Sequence, residues 1–481
     1  MMLVTVSQYI VVLEAQMSFI LPVELRARFA VRLSELYGSE VPAYNALVDV
    51  SAEVNQRVMD TQKASAERLG TIDRVTAERH GAIRVGSPEE LSQAARIFGA
   101  CGMYPTGFYD LRDAYPQPVP VVSTAFRPHA PEELARNPFR VFTSMLIPED
   151  RRFFSEDQES RLKEFLAART LFDDELLELA DRAEVDGGLA SADADRFLDL
   201  AVGAFELSDI PVDRAWYEEL GRVSGVAADI GGVESTHINH LTPRVLDIDD
   251  LYASMQERGF EMIAEVQGPP GGDFPDLLLR QTSFRALAEK RTFRETDGSL
   301  STGELRVRFG EVEQRGIALT PAGRDLYDEM VAETDRRLVD RRRVDPRVTR
   351  VDVAREVWEE RCPSEEELCR RELAYFTYTA HPDQKGPLPG TFSALLDSGH
   401  ITATPIVYED FLPRSAAGIF DSNLTDRGSK DESQNAIERD EEWLARAMGR
   451  AITDPHDLYA AQSRASLEAA MEKLGVSHLA A

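Results

Sequence analysis

The chain has 481 residues, of which 54 are basic and 84 acidic, and its formal charge is −30 at pH 7. Duplex DNA and anionic membranes carry charge of the same sign, so the composition disfavours both as partners. No run of about 20 apolar residues is present, so no transmembrane helix is expected, and the length favours two or three modules. Cys101, Cys362 and Cys369 form no CxxC pair and suit reduced thiols. Together these features predict a cytoplasmic protein.

The N-terminal part is predicted to be helical before a first mixed unit begins. Residues 1–19 are interpreted as a weakly ordered extension, because they lack the basic stretch of a signal peptide, and Met17 is a possible natural start. Residues 20–75 carry helical spacing.

The first mixed unit is predicted over residues 76–147. A strand over 79–85 is followed by a helix, because Ser87 suits the cap and Pro88 the first helical position. The remaining strands are predicted over 106–111, 119–126 and 139–146. Because Pro120 cannot donate a hydrogen bond to a neighbouring strand, regular pairing of the third strand should begin at Val121.

The rest of the chain is predicted to contain an insertion, a second mixed unit and a helical C-terminal region. Residues 148–231 are acidic and suit a helical insertion outside the catalytic part. In residues 232–320, we predict a helix over 247–258 and strands over 236–245, 260–266, 277–284 and 305–313. Residues 321–481 are predicted to be mostly helical and to close the active site.

An internal repeat relates the two mixed units. His80 and Arg84 are spaced like His240 and Arg244, at an offset of 240 − 80 = 160 residues. The strands that follow match in the same order at similar offsets. The repeat predicts an α+β fold in which two paired βαβββ units form a central β-sheet cavity, with helical additions at the N-terminus, between the units and at the C-terminus.

The first and last strands of each unit are expected to face that cavity. His80, His240 and Glu311 occupy such positions. Two imidazoles and one carboxylate suit a non-haem Fe(II) centre with open positions. His237 is a competing ligand, but positions 237 and 240 face opposite sides of a strand, and only His240 shares the arginine spacing of the repeat.

Several segments resemble known families. Segments 78–86, 237–244 and 415–420 resemble the 2-oxoadipate dioxygenase/decarboxylase family, and the resemblance runs from about residue 20 to about residue 470. The paired units look like the vicinal oxygen chelate superfamily, and Phe309–Arg315 is similar to the strand of 4-hydroxyphenylpyruvate dioxygenase that supplies an iron-binding Glu. The resemblance implies an enzyme of lysine catabolism that uses Fe(II) and O₂ to convert 2-oxoadipate into 2-hydroxyglutarate and CO₂.

Arg84, Arg244 and Ser415 are the predicted substrate-binding residues. A guanidinium matches a carboxylate with two donors, and Arg84 follows His80 by four residues, which places both on one face of the strand. We expect Arg84 to bind the distal carboxylate of a 2-oxo dicarboxylate and to be catalytic together with the three metal ligands. Arg244 occupies the matching place in the second unit, and the small residues after Ser415 suit close approach of a ligand.

Two other functions are compatible with the sequence. A Zn(II)- or Ni(II)-dependent isomerase or lyase could use the same scaffold. Residues 319–327 are similar to a turn of winged-helix regulators, although they also fit a capped helix start. The strong negative charge and the lack of a basic recognition helix argue against a DNA-binding regulator. The sequence does not indicate an oligomeric state.

Overall fold

The computed structural model describes residues 19–62, 67, 70–114, 118–286, 288–306, 308–412 and 430–476. Met17 and Ser415 lie outside these residues. Within them the chain is a mixed α+β protein with helices and several small sheets, which confirms the predicted fold class at that level. Among the described residues, no helix is both long and apolar enough to cross a membrane.

The first described elements are helical, as their spacing predicts. After Phe19–Ile20 (β1) come Pro22–Glu40 (α1), Pro42–Gln62 (α2) and Ile72–Ala77 (α3). The two long helices each begin with a proline, whose fixed φ angle suits the first helical position.

The first mixed unit follows its predicted elements closely. Ser87 caps the first helix of this unit, since its side chain accepts a hydrogen bond from the backbone N–H of Glu90 at 3.2 Å. The third strand begins at Val121, as Pro120 requires. The elements are Arg79–Val85 (β2), Pro88–Ala100 (α4), Tyr104–Asp110 (β3), Val121–Arg127 (β4), Pro131–Arg136 (α5) and Arg140–Leu146 (β5).

The acidic segment between the units is helical, as predicted. Gly187 ends its second helix in the left-handed conformation, with φ of 71°. The elements are Glu156–Ala168 (α6), Asp174–Asp186 (α7), Leu189–Ala190 (β6), Ser191–Gly203 (α8), Val212–Asp213 (β7), Arg214–Gly221 (α9) and Gly225–Gly232 (α10).

The second mixed unit departs from the prediction at several places. The strand predicted over 236–245 covers only His240–Pro243, so His237 precedes it, and the strand Glu289–Arg294 was not predicted. Segment 260–266 is not a strand, and Met262 forms only an isolated bridge with Phe284. The strand predicted over 305–313 is divided, because residues 300–305 pair with 289–294 whereas residues 310–315 pair with 279–284. The elements are His240–Pro243 (β8), Ile248–Glu257 (α11), Leu279–Phe284 (β9), Glu289–Arg294 (β10), Leu300–Leu305 (β11) and Gly310–Arg315 (β12).

The C-terminal region is mostly helical, as predicted, with one added hairpin. The Thr320 side chain accepts a hydrogen bond from the Gly323 backbone N–H at 3.2 Å, so the winged-helix-like motif is a capped helix start. The elements are Pro321–Val344 (α12), Arg350–Arg361 (α13), Glu365–Arg370 (α14), Phe376–Ala380 (β13), Phe392–Asp397 (α15), Ile401–Pro405 (β14), Glu441–Met448 (α16) and Pro455–Leu474 (α17).

The central sheet joins strands of both mixed units. Its order is β3-β4-β5-β2-β8, with β2 parallel to β5 and antiparallel to β8. A parallel bridge between Arg244 and Glu313 brings β12 to the other side of β8, and β12 pairs with β9. Outwards from the β2–β8 contact, β5 and then β4 follow β2 on one side, and β12 and then β9 follow β8 on the other.

The two faces of this sheet differ in chemistry because side chains alternate along a strand. Ile83, Val85 and Leu241 belong to the large apolar core that includes residues of α1, α2 and α4. The alternate residues of β2 include His80 and Arg84, which are buried although they are polar. The second face therefore carries the candidate site.

Candidate metal centre

Three neighbouring strands bring the predicted metal ligands together. His80 lies on β2, His240 on β8 and Glu311 on β12. One potential ligand atom from each residue lies within 4.8 Å of the others. The Glu311 carboxylate spans the two rings, since Oε1 is 3.5 Å from His80 Nε2 and Oε2 is 3.5 Å from His240 Nε2.

The electrostatic environment keeps His240 ready to bind a cation. Burial, together with the nearby charges of His80 and Arg84, holds the pKa of His240 well below its usual value, so the ring is neutral at pH 7. Neither of its ring nitrogens has a hydrogen-bond partner within the described residues. A buried polar group left in this way costs about 1–3 kcal/mol, and coordination of a metal would satisfy it. The residues therefore fit a metal ion.

Burial affects the pKa values of His80 and Glu311 differently. Burial lowers the pKa of His80, but the charges of Glu313 and Glu311 outweigh it and raise that pKa above its usual value. Burial also raises the pKa of the Glu311 carboxyl. A cation placed between these groups would favour the neutral imidazole and the ionised carboxylate, which are the forms that ligate metals.

Aromatic rings enclose the cluster. The Phe411 ring lies 5.0 Å from the His80 ring and 5.0 Å from the Phe142 ring, measured between centroids. The Phe309 ring lies 5.1 Å from the His240 ring. These contacts place apolar surface against both histidines, and the exclusion of water there strengthens electrostatic interactions.

Glu313 is a site residue that the sequence analysis missed. Its Oε2 lies 3.0 Å from His80 Nδ1, on the side of the ring opposite to Nε2. Burial raises the pKa of Glu313, but Arg315 and His80 outweigh this and lower it to about 2. The spacing could have revealed it, because Glu311 and Glu313 are alternate residues and face the same side of a strand.

Arg84 is buried on the ligand face and already has an acidic partner. Its Nη1 donates to Oδ2 of Asp229, which lies in α10. Residues 148–231 were expected to lie outside the catalytic part, and the structure brings one residue of this insertion, Asp229, to the predicted substrate residue Arg84. Sequence reasoning missed this residue because nothing local distinguishes it from the other acids of the insertion.

His237 belongs to the Arg84 side of the site and not to the three-ligand cluster. Its Nε2 lies 3.4 Å from Asp229 Oδ1 and 3.2 Å from Asn239 Nδ2. The Asn239 amide also donates to Asp229 at 3.1 Å. Burial lowers the pKa of His237 to about 4. The geometry thus favours the predicted register, with His240 at the cluster.

The remaining predicted substrate residues are Arg244, which the structure places in a buried charge cluster, and Ser415. Arg244 Nη1 donates to Glu78 at 2.8 Å, and Glu78 also pairs with Arg140 in the same buried cluster. Contact of Arg244 with a substrate stays a prediction. Ser415 lies outside the described residues.

Comparison with known proteins identifies relatives along nearly the whole chain. Residues 29–423 match the family model described as 2-oxoadipate dioxygenase/decarboxylase. A protein of that name from Mycobacterium tuberculosis is 52% identical over 437 residues, which is 91% of this chain and 95% of the relative. Another from Pseudomonas putida is 41% identical over 473 residues, which is 96% of this chain and 99% of the relative.

A solved structure is similar over the same extent. The crystal structure of hydroxyglutarate synthase from Pseudomonas putida in complex with 2-oxoadipate matches with a TM-score of 0.80 at 38% identity. The match covers 95% of this chain and 100% of that one.

Proposed function

The chain belongs to the 2-oxoadipate dioxygenase/decarboxylase family and is therefore an enzyme, and on this premise we propose that it uses Fe(II) and O₂ to convert 2-oxoadipate into 2-hydroxyglutarate and CO₂. The reaction balances, because the six carbons of the substrate become five in the product and one in CO₂, and both atoms of O₂ are incorporated. The observation that carries the proposal is the convergence of His80, His240 and Glu311 within 4.8 Å.

His80, His240 and Glu311 are the residues that would hold the iron. Two imidazoles and one carboxylate leave positions open at Fe(II) for a 2-oxo acid and O₂, and this is the chemistry that the metal supplies when bound. The neutral ring of His240 can ligate without first losing a proton. Phe142, Phe309 and Phe411 would keep bulk water from the reacting groups.

Arg84 would select the substrate through its distal carboxylate. A buried guanidinium can present two parallel donors to such a group, and this geometry distinguishes a carboxylate from an uncharged end. Asp229 would hold the guanidinium in place before substrate arrives. Support for the substrate comes from the solved relative in complex with 2-oxoadipate. Arg244 and Ser415 are proposed as further contacts.

The two mixed units are proposed to act as paired βαβββ modules with the metal between their first strands. The position of the last strand of each unit beside its first strand, β5 beside β2 and β12 beside β8, supports this arrangement. The proposed boundaries remain those predicted from the sequence, with modules over 76–147 and 232–320 and helical regions over 20–75, 148–231 and 321–481. The cytoplasmic location and the place in lysine catabolism also remain predictions.

Anaerobic reconstitution with Fe(II) followed by addition of O₂ tests the proposed reaction. We expect O₂ uptake, CO₂ release and formation of 2-hydroxyglutarate from 2-oxoadipate in equal amounts. A panel of 2-oxo acids of five to seven carbons measures the selectivity. Turnover that needs no O₂, or that is supported by Zn(II) or Ni(II), would contradict the proposal and favour an isomerase or lyase on the same scaffold.

A further inference from the structure

The two histidines of the cluster are held in different ways. His80 Nδ1 faces a carboxylate oxygen of Glu313 at 3.0 Å. The contact is an ion-pair contact, because it does not meet hydrogen-bond geometry. Among the described residues, the one carboxylate paired with His240 is the proposed ligand Glu311, at Nε2. The difference matters because a free imidazole can place its proton on either nitrogen, and only the other nitrogen can then bind a metal.

The Glu313 carboxylate is itself fixed by charge. Arg315 donates two hydrogen bonds to it, from Nε at 2.7 Å and from Nη2 at 2.9 Å. Arg140 Nη1 lies 3.9 Å from the same group. All three side chains are fully buried. A carboxylate paired in this way is an acceptor only, and its negative charge 3.0 Å from Nδ1 favours the form of His80 that carries its hydrogen on Nδ1.

Arg315 also contacts the segment 408–411, which packs against His80. Its Nη1 donates to the backbone carbonyls of Tyr408 at 2.8 Å and Asp410 at 2.9 Å. The next residue, Phe411, places its ring against His80. One arginine therefore positions both the outer partner of His80 and the ring that packs on His80.

We propose that Glu313 is a positioning residue that fixes His80 as the Nδ1–H tautomer and so directs Nε2 towards the metal. The inference rests on the proposed metal site at His80, His240 and Glu311. Carboxylate partners of ligating histidines typically change metal affinity by about 10–100-fold when they are removed. His80 is thus the oriented ligand, and His240 depends on the metal itself for its orientation.

The Glu313→Gln variant tests this role, with metal affinity as the readout. Gln keeps the size of the side chain but removes the charge, and we expect the dissociation constant for Co(II) to rise about 10–100-fold. Glu90→Gln is the matched control. Glu90 is another buried carboxylate with a two-donor arginine partner, Arg169, at 2.7 and 3.0 Å. The Glu90→Gln variant should stay within about threefold of the parent protein.

The tautomer can be observed directly by NMR. In protein labelled with [¹⁵N]histidine and loaded with Zn(II), we expect a slowly exchanging Nδ1–H signal of His80, assigned by its loss in His80→Ala. The signal should shift or disappear in Glu313→Gln. An unprotonated Nδ1 in the parent protein would overturn the inference, even if the Gln variant failed to fold.

The outcomes separate this inference from the proposed function. Unchanged metal affinity and an unchanged His80 signal in Glu313→Gln would overturn the positioning role alone. Full metal affinity in His80→Ala would overturn the metal site and the positioning role together.

Discussion

Substitution of Arg84 is the sharpest test of substrate recognition. The Arg84 side chain is only 3% exposed and its guanidinium pairs with Asp229. Removing one member of a buried charged pair typically costs about 3–5 kcal/mol. If the distal carboxylate of 2-oxoadipate is such a partner, Arg84→Gln should lower kcat/KM for this substrate by about two to four orders of magnitude, at about 1.4 kcal/mol for each order.

Arg84→Lys should give an intermediate loss. Lysine keeps the positive charge, but its single ammonium group cannot present two parallel donors to a carboxylate. Both variants should bind the same amount of iron, because Arg84 is not part of the three-ligand cluster.

The effect on the fold has to be separated from the effect on the substrate. Arg84→Gln also leaves the Asp229 carboxylate buried without its arginine, which destabilises the protein. The double variant Arg84→Gln/Asp229→Asn removes both charges. We expect it to recover much of the lost thermal stability without recovering activity towards the dicarboxylate.

The assay compares kcat/KM for 2-oxoadipate and for 2-oxohexanoate, which has the same length but an uncharged end. The loss should be confined to the dicarboxylate. Equal losses for both substrates would refute binding of the distal carboxylate by Arg84 and would mean that Arg84 stabilises the fold.

Three further predictions concern the metal, acid stability and partners. Alanine variants of the three proposed ligands should stay folded but lose bound iron and activity, whereas His237→Ala should retain iron. Metal analysis of the purified variants measures this. Loss of iron in His237→Ala together with its retention in His240→Ala would mean that the ligand is misassigned. Burial raises the pKa of Asp410, but Arg127 and Tyr459 outweigh it and hold that pKa below its usual value. The stability that Asp410 contributes is therefore present above about pH 4 and is lost as the pH falls through its folded pKa. The difference in unfolding free energy between the parent protein and Asp410→Asn, from urea titrations at pH 7 and pH 3, should therefore shrink at the lower pH, and an equal difference at both would contradict the argument. Finally, no sub-micromolar binding to duplex DNA is expected in fluorescence anisotropy at physiological salt, because the net charge of −30 repels phosphates; a salt-sensitive complex would show that a local basic surface overrides it.

Neighbouring residues specify several local elements, and the internal repeat nominates the three candidate ligands. Ser87 and Pro88 specify a helix start, and Pro120 delays the third strand to Val121, because these effects depend only on neighbouring residues. The repeat related His80 to His240, and strand alternation placed Arg84 on the face of His80. Such patterns depend on periodicity along one strand and can be read without knowing its partners.

Local sequence patterns did not predict the strands whose formation depends on a pairing partner elsewhere in the chain. Segment 260–266 has the composition of a strand, yet it forms only one isolated bridge, between Met262 and Phe284. The run predicted over 305–313 is divided, since only Leu305 pairs with β10 whereas residues 310–313 pair with β9. A strand exists only where a partner satisfies its backbone, and that partner is chosen by the tertiary fold.

The partners of the site residues depend on tertiary packing. Asp229 lies 145 residues from Arg84 in the chain, and Glu313 lies far from His80, yet each meets its partner in the buried face of the sheet. Buried charges must be compensated by other charges or hydrogen bonds, but this requirement does not specify which of many acidic residues in the chain will do so. That choice depends on how the insertion and the two mixed units pack together, which no spacing along the sequence reveals.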